Sequence, residues 1–334
     1  MSTRKNIRFI DLFAGIGGFR YCFDSLGCEC VFSSEIDEKC RKVYEANYGD
    51  IPKGDITKIA SSDIPDFEIL CAGFPCQPFS ISGKKQGFND IRGTLFFDIC
   101  RIISDKKPKV VFLENVKNLI THDRKRTFKI ILETLMQLNY NVSWKVLNAK
   151  DFGVAQSRER VIIIGFANGI FDFDNIRYST KDVYIRDIMD LQGNFEYLDK
   201  SEYTLIENKY IKRQPSGLIF CGYRNKELWK NGIREGTQYL SRCHRQPNRI
   251  YSVDGTHPTI PSQESSGRFW IYDKKTDIVR KLTINECYKL MGFPSDFKRT
   301  EKDSDSYKQL GNSVVIPMIM SIAKEIISQG FNNG

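Results

Sequence analysis

The 334-residue sequence predicts an α/β protein, a mixed and mostly parallel Rossmann-like sheet joined to a second, smaller domain. Three observations carry this prediction. Strand-like and helix-like segments alternate over residues 7–166, a glycine-rich turn at residues 15–18 follows the first strand and opens a helix, and the alternation stops after about Phe171. Alternation of this kind places helices on both faces of a parallel sheet.

The first half contains short apolar runs separated by helical patterns. The first predicted helix begins after the glycine-rich turn at residues 15–18 and ends at Gly27. We expect strands at residues 7–13, 30–33, 67–72, 110–113, 142–147 and 161–166, and helices at 19–26, from after Asp37 to about 48, 95–104 and 128–138.

The second half is irregular between residues 171 and 277 and regular again near the C-terminus. Thr283 and Glu286 have capping-box spacing, Gly292 fits a helix stop, and residues 314–328 predict a C-terminal helix. We therefore expect a catalytic domain of residues 1–185 and 303–334, with a small target-recognition domain of residues 186–302.

Composition bounds the class of protein. The net charge of +9 and a pI near 8.9 suit an anionic partner, although many basic proteins bind none. None of the ten cysteines has CxxC spacing and only three histidines exist, so we expect no metal site. We see no signal peptide and no apolar stretch long enough to span a membrane, and we expect a reduced, cytoplasmic protein with buried free thiols.

The turn after the first strand predicts a ligand site. Gly15 and Gly17 allow close approach to a ligand, and Glu35, about 20 residues on, follows the second strand where an acid can hold a ribose hydroxyl. Asp55 could contact an adenine edge. Because the turn departs from GxGxxG, a dinucleotide pyrophosphate is disfavoured, while a tight turn without a ligand remains an alternative.

Cys76 is the one cysteine whose setting suggests chemistry. It lies between Pro75 and Pro78 in a loop that leaves a predicted strand at the edge where open α/β sheets bind ligands. A thiol held on a rigid loop is a candidate nucleophile. The alternative is a buried structural cysteine.

Two neighbouring segments could supply partners for that thiol. Glu114 ends the strand that begins at Val110, on the same sheet edge, although a solvated or capping role is also open. Gln156, Arg158 and Arg160 alternate before the strand at 161–166 and would form a row of donors on one face. The alternative for this row is an ion-paired edge strand.

The order of these segments resembles the DNA cytosine-5 methyltransferase family over about residues 7–166 and 280–327. Residues 11–19 are similar to its first cofactor motif, 75–77 to its catalytic loop, 114–116 to its base-binding motif and 156–160 to its arginine motif. Residues 281–294 and 309–314 resemble its ninth and tenth motifs.

The resemblance implies methyl transfer from S-adenosylmethionine, giving S-adenosylhomocysteine, to carbon 5 of a cytosine flipped out of duplex DNA. Cys76 would attack carbon 6, Glu114 would bind the ring nitrogen and amino group, and Arg160, with Arg158, would hold the exocyclic oxygen and the loop around Cys76. The cofactor contacts that it implies are Phe13, Gly15, Gly17, Glu35, Ile36, Asp55, Pro75 and Asn312.

The irregular region has the composition of a DNA-reading module. Residues 201–272 hold eleven Lys or Arg against six Asp or Glu, a net charge of +5, interleaved with aromatic and amide side chains. A solvated basic surface is the alternative. The resemblance places target recognition here, and our candidate DNA contacts are Ser82, Arg224, Arg242, Arg245, Arg249 and Thr259.

Three rival functions remain at this stage. A tRNA cytosine methyltransferase of the same superfamily would have a shorter recognition insert, and a non-enzymatic DNA binder would have lost Cys76, Glu114 or Arg160. A nicotinamide dehydrogenase is disfavoured by the glycine spacing. We expect a monomer, with a restriction endonuclease as a functional partner.

Overall fold

The computed structural model describes residues 7–75, 95–226, 236–262 and 270–331. The chain forms two compact units. The first consists of residues 1–147, 159–178 and 314–334, and the second of residues 148–158 and 179–313.

The first half of the chain follows the predicted alternation of strands and helices closely. All of the following elements belong to the first unit except β6, which lies in the second. They are β1 (Arg8–Leu12), α1 (Gly18–Asp24), β2 (Glu29–Ser34), α2 (Glu38–Tyr48), β3 (Ile69–Gly73), α3 (Leu95–Lys106), β4 (Val110–Val116), α4 (Arg126–Gln137), β5 (Asn141–Asn148), β6 (Gln156–Ser157) and β7 (Glu159–Phe166).

These strands form a six-stranded sheet in the order β2-β1-β3-β4-β7-β5. Strands β1 to β4 are parallel to their neighbours, whereas β7 runs antiparallel to β4. The mixed, mostly parallel sheet expected from the sequence is therefore confirmed. The carboxyl ends of β1, β2, β3 and β4 share one edge, and that edge carries the residues whose chemistry matters below.

Strand β4 extends further than predicted. The apolar run ends at Leu113, but antiparallel pairing with β7 continues through Glu114, Asn115 and Val116. A ladder of backbone hydrogen bonds thus keeps these three residues in extended conformation, although two of them are polar. Glu114 is consequently held within a strand, with its position set by two neighbours.

The core of the first unit is apolar on both faces of its sheet, as parallel sheets require. Buried strand residues such as Ile10, Leu70, Val111 and Ile163 pack against helices α3 and α4. The C-terminal helix α7 (Ile316–Phe331), predicted at 314–328, packs against α1.

The second unit has short strands and long connections. After β6, its elements are β8 (Tyr203–Leu205), β9 (Phe220–Arg224), β10 (Arg249–Ser252), β11 (His257–Pro258), β12 (Trp270–Asp273), β13 (Ile278–Lys281), α5 (Ile284–Met291) and α6 (Asp303–Asn312). Five strands pair in the order β13-β12-β10-β9-β8, while β6 and β11 form a separate parallel pair.

Helix α5 begins and ends where the sequence predicts. The side chains of Thr283 and Glu286 make the reciprocal capping-box bonds, and Gly292 ends the helix at a φ of 76°. The predicted boundaries at 185/186 and 302/303 divide the chain by function and stay a prediction. As compact bodies, the two units instead group residues 148–158, 179–185 and 303–313 with the recognition region.

Residues 303–331 are long and apolar enough, by length and composition alone, to cross a membrane. The segment consists of α6 and α7, and 56% of its most apolar window is buried within the protein. It therefore has the character of core helices. The nine cysteines among the described residues are free thiols, eight of them buried.

Candidate active site

The turn between β1 and α1 adopts a conformation that most side chains resist. Phe13, Gly15 and Gly17 all have positive φ, at 56°, 56° and 88°. Only glycine enters this left-handed region without steric cost, so two of the three positions use it. The result is a tight loop at the carboxyl end of β1, directly before the first turn of α1.

Glu35, at the end of β2, holds this turn from the side. One carboxylate oxygen accepts a hydrogen bond from the Gly15 amide at 2.8 Å, and the other accepts one from the Asp37 amide at 2.7 Å. Beside it, the side chain of Ile36 is 73% exposed, an unusual state for isoleucine. The acid and the exposed apolar surface lie where the sequence predicts contacts with a ribose and an adenine.

Asp55 lies just beyond Lys53, which pairs with the end of β2. Its carboxylate accepts hydrogen bonds from the amide and hydroxyl of Thr57, and these bonds hold the pKa of Asp55 below its ordinary value. The group is therefore an ionised acceptor at neutral pH. It is fixed by its own 3-10 turn.

Tyr48, at the end of α2, covers the turn from the other side. Its hydroxyl donates to the Gly17 carbonyl at 2.7 Å, and a Cβ on Gly17 would meet the Tyr48 ring at 2.3 Å. Arg20 lies over the same ring at 5.4 Å. Sequence reasoning missed Tyr48, because 31 residues separate it from Gly17 and no local pattern links them.

Asp11, in the middle of β1, is fully buried, and neither carboxylate oxygen makes a hydrogen bond of normal geometry among the described residues. Burial raises the pKa of Asp11 well above its ordinary range. The side chain is therefore neutral over a wider pH range than an exposed aspartate.

A buried ion pair lies at the carboxyl end of β4. The Nε of Arg160 is 2.9 Å from Oε1 of Glu114, and both side chains are about nine-tenths buried. Register explains the pairing: Glu114 lies opposite Ile162 and Val116 opposite Arg160, so the two side chains are diagonal neighbours on one face. Burial lowers the pKa of Arg160 while Glu114 opposes that shift, and the guanidinium stays charged.

Glu114 also borders β3 through Gly73, its partner in the parallel ladder. A Cβ on Gly73 would lie 3.7 Å from Oε2 of Glu114. The absence of a side chain at Gly73 therefore leaves one face of the carboxylate clear. Space beside a buried carboxylate is what a planar ligand would need.

Asn115 fixes the chain that leads to Cys76. Its Nδ2 donates to the Phe74 carbonyl at 2.8 Å, and its Oδ1 accepts from the Val116 amide. Asn115 is buried and Pro75 is exposed. Cys76 and Ser82, two predicted site residues, lie outside the described residues. Asn115 belongs to the motif at residues 114–116, but its contact with Phe74 depends on the fold.

Gln156, Arg158 and Arg160 do not form the single row of free donors that their alternation predicts. Arg160 binds Glu114 in the first unit, whereas Gln156 and Arg158 bind partners in the second. The physical reason is a change of strand: β6 ends at Ser157 and β7 begins at Glu159, so extended pairing is interrupted at Arg158.

Arg158 cross-links the second unit. Its guanidinium is 2% exposed and donates to the carbonyls of Ile260, Gly311 and Ser313 at 3.3, 2.9 and 2.7 Å. Three carbonyl acceptors occupy much of its donor capacity. These contacts favour an architectural role for Arg158, and its predicted part in catalysis stays a prediction.

Two further predicted contacts lie in the same unit. The hydroxyl of Thr259 donates to the Ser157 carbonyl at 2.9 Å, and Asn312 is exposed at the end of α6. Gly311, between them in this unit, has no room for a side chain, since a Cβ would lie 2.3 Å from the Pro261 carbonyl oxygen.

The predicted DNA-reading arginines differ in how firmly they are held. Arg242 and Arg245 are exposed, Arg249 donates to the His244 carbonyl at 3.0 Å, and Arg224 lies over the Trp270 ring at 5.1 Å. Stacked rings support this surface: Tyr223 on His244 at 3.9 Å and Tyr210 on Tyr239 at 4.0 Å. The stacks join residues far apart in sequence and were not predicted.

No group of three or more His, Cys, Asp or Glu in the described parts of the chain could hold a metal ion. The chemistry available at the carboxyl edge of the first unit is therefore that of an acid, a guanidinium, a shaped backbone turn and the chain leading to a thiol.

Known proteins resemble this chain along nearly its whole length. The family model of C-5 cytosine-specific DNA methylases matches residues 7–328. Type II methyltransferase M.HhaI of Haemophilus parahaemolyticus is 42% identical, over 96% of this chain and 94% of its own. M.SsoII of Shigella sonnei is 44% identical, over 96% and 80%.

Among solved structures, the Dnmt2 methyltransferase of S. pombe superposes with a TM-score of 0.67 at 19% identity, over 97% of this chain and 100% of that one. At that identity the likeness shows the fold. The match to the family also spans the middle region, where the motifs alone showed no resemblance. The chain belongs to the C-5 cytosine-specific DNA methylase family.

Proposed function

We propose that this methyltransferase moves the methyl group of S-adenosylmethionine to carbon 5 of a flipped-out cytosine within a specific duplex DNA sequence, through a covalent bond between Cys76 and carbon 6. The observation that carries the proposal is the buried Glu114–Arg160 pair, whose strand β4 is tied through Asn115 to Phe74, two residues before Cys76. In a duplex, stacking covers the faces of each base and pairing occupies its Watson–Crick edge, so the target base must leave the helix to reach such a pair.

The residues of the first unit fit the cofactor. The left-handed turn at Phe13, Gly15 and Gly17 offers close backbone approach, while Glu35 and Asp55 supply carboxylate acceptors. The exposed side chain of Ile36 suits the face of an adenine ring. Pro75 is a further proposed contact of the first unit, and Asn312, which belongs to the second unit, is a contact that the resemblance alone implies. S-adenosylmethionine supplies an electrophilic methyl group on a sulfonium when it is bound.

Each proposed catalytic group has one task. Cys76, as a thiolate, forms a bond to carbon 6 and pushes electron density into the ring. Glu114 delivers a proton to the ring nitrogen and accepts a hydrogen bond from the amino group, which neutralises that density. Carbon 5 then becomes the nucleophile that accepts the methyl group, and S-adenosylhomocysteine is the leaving group. A base, which we take to be solvent, removes the carbon-5 proton, and the bond to Cys76 breaks.

Arg160 holds Glu114 in place and presents a positive charge beside the base. Its Nε contact fixes one oxygen of the carboxylate and leaves the other, Oε2, on the side of Gly73. A fixed donor in a buried site needs little reorganisation as charge develops. We propose that Arg160 contacts the exocyclic oxygen of the cytosine, with Arg158 acting through the second unit.

Target recognition is proposed for the second unit, through Arg224, Arg242, Arg245, Arg249 and Thr259, with Ser82 from the chain after Cys76. Because the relatives are type II methyltransferases of bacteria, we propose a cytoplasmic, prokaryotic enzyme that partners functionally with a restriction endonuclease and acts as a monomer.

The test combines product mapping with trapping. The protein is incubated with tritiated S-adenosylmethionine and, in separate reactions, unmethylated genomic DNA or tRNA, and modified bases in the DNA are mapped by sequencing. We expect 5-methylcytosine in one short motif. Label in tRNA and none in DNA would overturn the proposed substrate.

The covalent step is tested with DNA that carries 5-fluorocytosine in the mapped motif. Fluorine replaces the proton whose removal frees the enzyme, so wild-type protein should form an adduct that survives denaturation. Cys76→Ser should form no adduct and turn over no substrate while it still binds DNA. Methylation by Cys76→Ser would contradict the mechanism.

A further inference from the structure

We propose that Arg124 and Lys125 form a phosphate-binding point for the DNA substrate on the first unit, apart from the arginines proposed to read the sequence. This inference rests on the proposed function, since its ligand is the same duplex. The two residues lie in the turn His122–Lys125, between β4 and α4, whose backbone is non-helical at Asp123 and Arg124.

The turn is positioned near the proposed chemistry by the path of the chain. Strand β4 carries Glu114 and ends at Val116, and residues 117–125 follow before α4 turns back along the sheet. Lys117 ties the start of this segment to Glu159, next to Arg160, at 2.8 Å. The segment therefore lies at the same sheet edge as the Glu114–Arg160 pair.

The charge of the turn is only partly compensated. Arg126 pairs with Asp123 at 2.6 Å, which occupies the single acid of the turn. Arg124 and Lys125 are exposed, and neither has an ion-pair partner within the described ranges. Elsewhere on the first unit, Lys42 and Lys129 each pair with a carboxylate on their own helix.

The backbone of the turn is strained in a way that fixes these cations. Asp123, Arg124 and Lys125 have φ values of 47°, 54° and 71°, three consecutive left-handed positions without a glycine. Each such residue costs about 1 kcal/mol or more. The His122 ring, 2.7 Å from the hydroxyl of buried Thr127, holds one end.

The strained turn fixes the backbone that carries both charged side chains, whereas a relaxed loop would leave their orientations variable. Two neighbouring cations that have no ion-pair partner among the described residues suit the phosphate backbone of DNA. Contacts to phosphates do not depend on the base sequence. The turn would then orient the duplex over the edge that carries Glu114, and carry no sequence information itself.

The test compares two double variants that remove the same charge. Arg124→Asn with Lys125→Asn removes the proposed point, and asparagine tolerates left-handed backbone. Lys107→Asn with Lys109→Asn removes two exposed lysines before β4, at the opposite edge of the same sheet, and Lys107 also has a positive φ of 49°. Binding to a duplex of random sequence is measured against salt concentration.

We expect the Arg124/Lys125 variant to bind about tenfold more weakly at low salt, with the slope of log K against log salt reduced by about 1 to 2, one phosphate contact for each cation lost. The Lys107/Lys109 variant should keep the wild-type slope. Thermal unfolding of both variants reports whether they fold.

An equal loss of salt dependence in both variants would show that net charge alone causes the effect, and it would overturn the inference. An unchanged salt dependence in the Arg124/Lys125 variant would overturn it as well. If wild-type protein methylates DNA and the slopes do not differ, this inference fails alone. If wild-type protein labels no DNA, the proposed function fails with it.

Discussion

The carboxyl edge of the six-stranded sheet and the interior of the second unit hold their polar residues by different means. At the sheet edge, Glu114 is placed by backbone pairing with β3 and β7, and its partner Arg160 follows from the register. In the second unit, whose strands have two to five residues, Arg158 and the Arg280–Glu286 pair bind carbonyls and caps directly.

This difference indicates which substitutions each region should tolerate. A sheet fixes side chains through many backbone hydrogen bonds, so one functional residue can be replaced while its frame remains. A loop-rich unit has few such bonds, and its buried polar side chains take over their role. Substitutions at the sheet edge should therefore affect turnover, and those in the second unit should affect stability.

The largest effect is expected at the sheet edge. Glu114→Gln keeps the shape of the side chain but removes the acid, and we expect a loss of turnover of about 10³-fold, within the range for a general acid or base. Single-turnover transfer of tritiated methyl groups measures it. The control is Glu159→Gln, an exposed carboxylate on the neighbouring strand β7, which should retain wild-type turnover. Comparable losses in both would show that the buried pair is not special.

A stability effect is expected for Arg158→Met. Removal of the guanidinium leaves three carbonyls without their donor, and a buried group of this kind costs about 3 kcal/mol. Urea unfolding followed by tryptophan fluorescence measures the change. Arg186→Met removes an exposed pair with Asp254 in the same unit and should cost about 0 to 1 kcal/mol. A stable Arg158→Met with lost turnover would instead assign Arg158 to catalysis.

A smaller, local effect is expected at the cofactor turn. Gly17→Ala introduces a left-handed alanine and a collision with Tyr48, whereas Gly27→Ala introduces the first of these alone, because open space surrounds it. Gly27→Ala should lose about 1 kcal/mol of stability, and Gly17→Ala should lose more because of the collision. Only Gly17→Ala should also raise KM for S-adenosylmethionine, by about tenfold if a contact worth about 1.4 kcal/mol is lost. An equal KM for the two variants would contradict the proposed contact between this turn and the cofactor.

The last effect concerns Asp11, the fully buried acid of β1. Its pKa is raised by burial, so in acid both folded and unfolded chains hold the proton and it contributes nothing. As pH rises above about 4, the unfolded chain alone loses the proton, and folding becomes less favourable. Asp11→Asn should match wild type near pH 3 and exceed it in stability at pH 7, with a difference that grows as pH rises above about 4. Greater stability of the wild type at pH 7 would mean a partnered, ionised Asp11.

The sequence by itself determined the alternation of elements, the glycine turn, the capping box of α5 and the family. Each depends on neighbours along the chain: apolar runs, the steric freedom of Gly15 and Gly17, or the three-residue spacing of Thr283 and Glu286. Such signals are local in origin, and local sequence is enough to read them.

Only the tertiary structure decided how those pieces act on one another. The Glu114–Arg160 pair joins residues 46 positions apart through an antiparallel register, Tyr48 reaches Gly17 across 31 residues, and Arg158 bonds to carbonyls more than 100 residues away. The sequence placed Gln156, Arg158 and Arg160 in one row because alternation is the only rule visible along a chain. A change of strand at Arg158 divided them, because hydrogen bonding between distant segments determines where each strand ends.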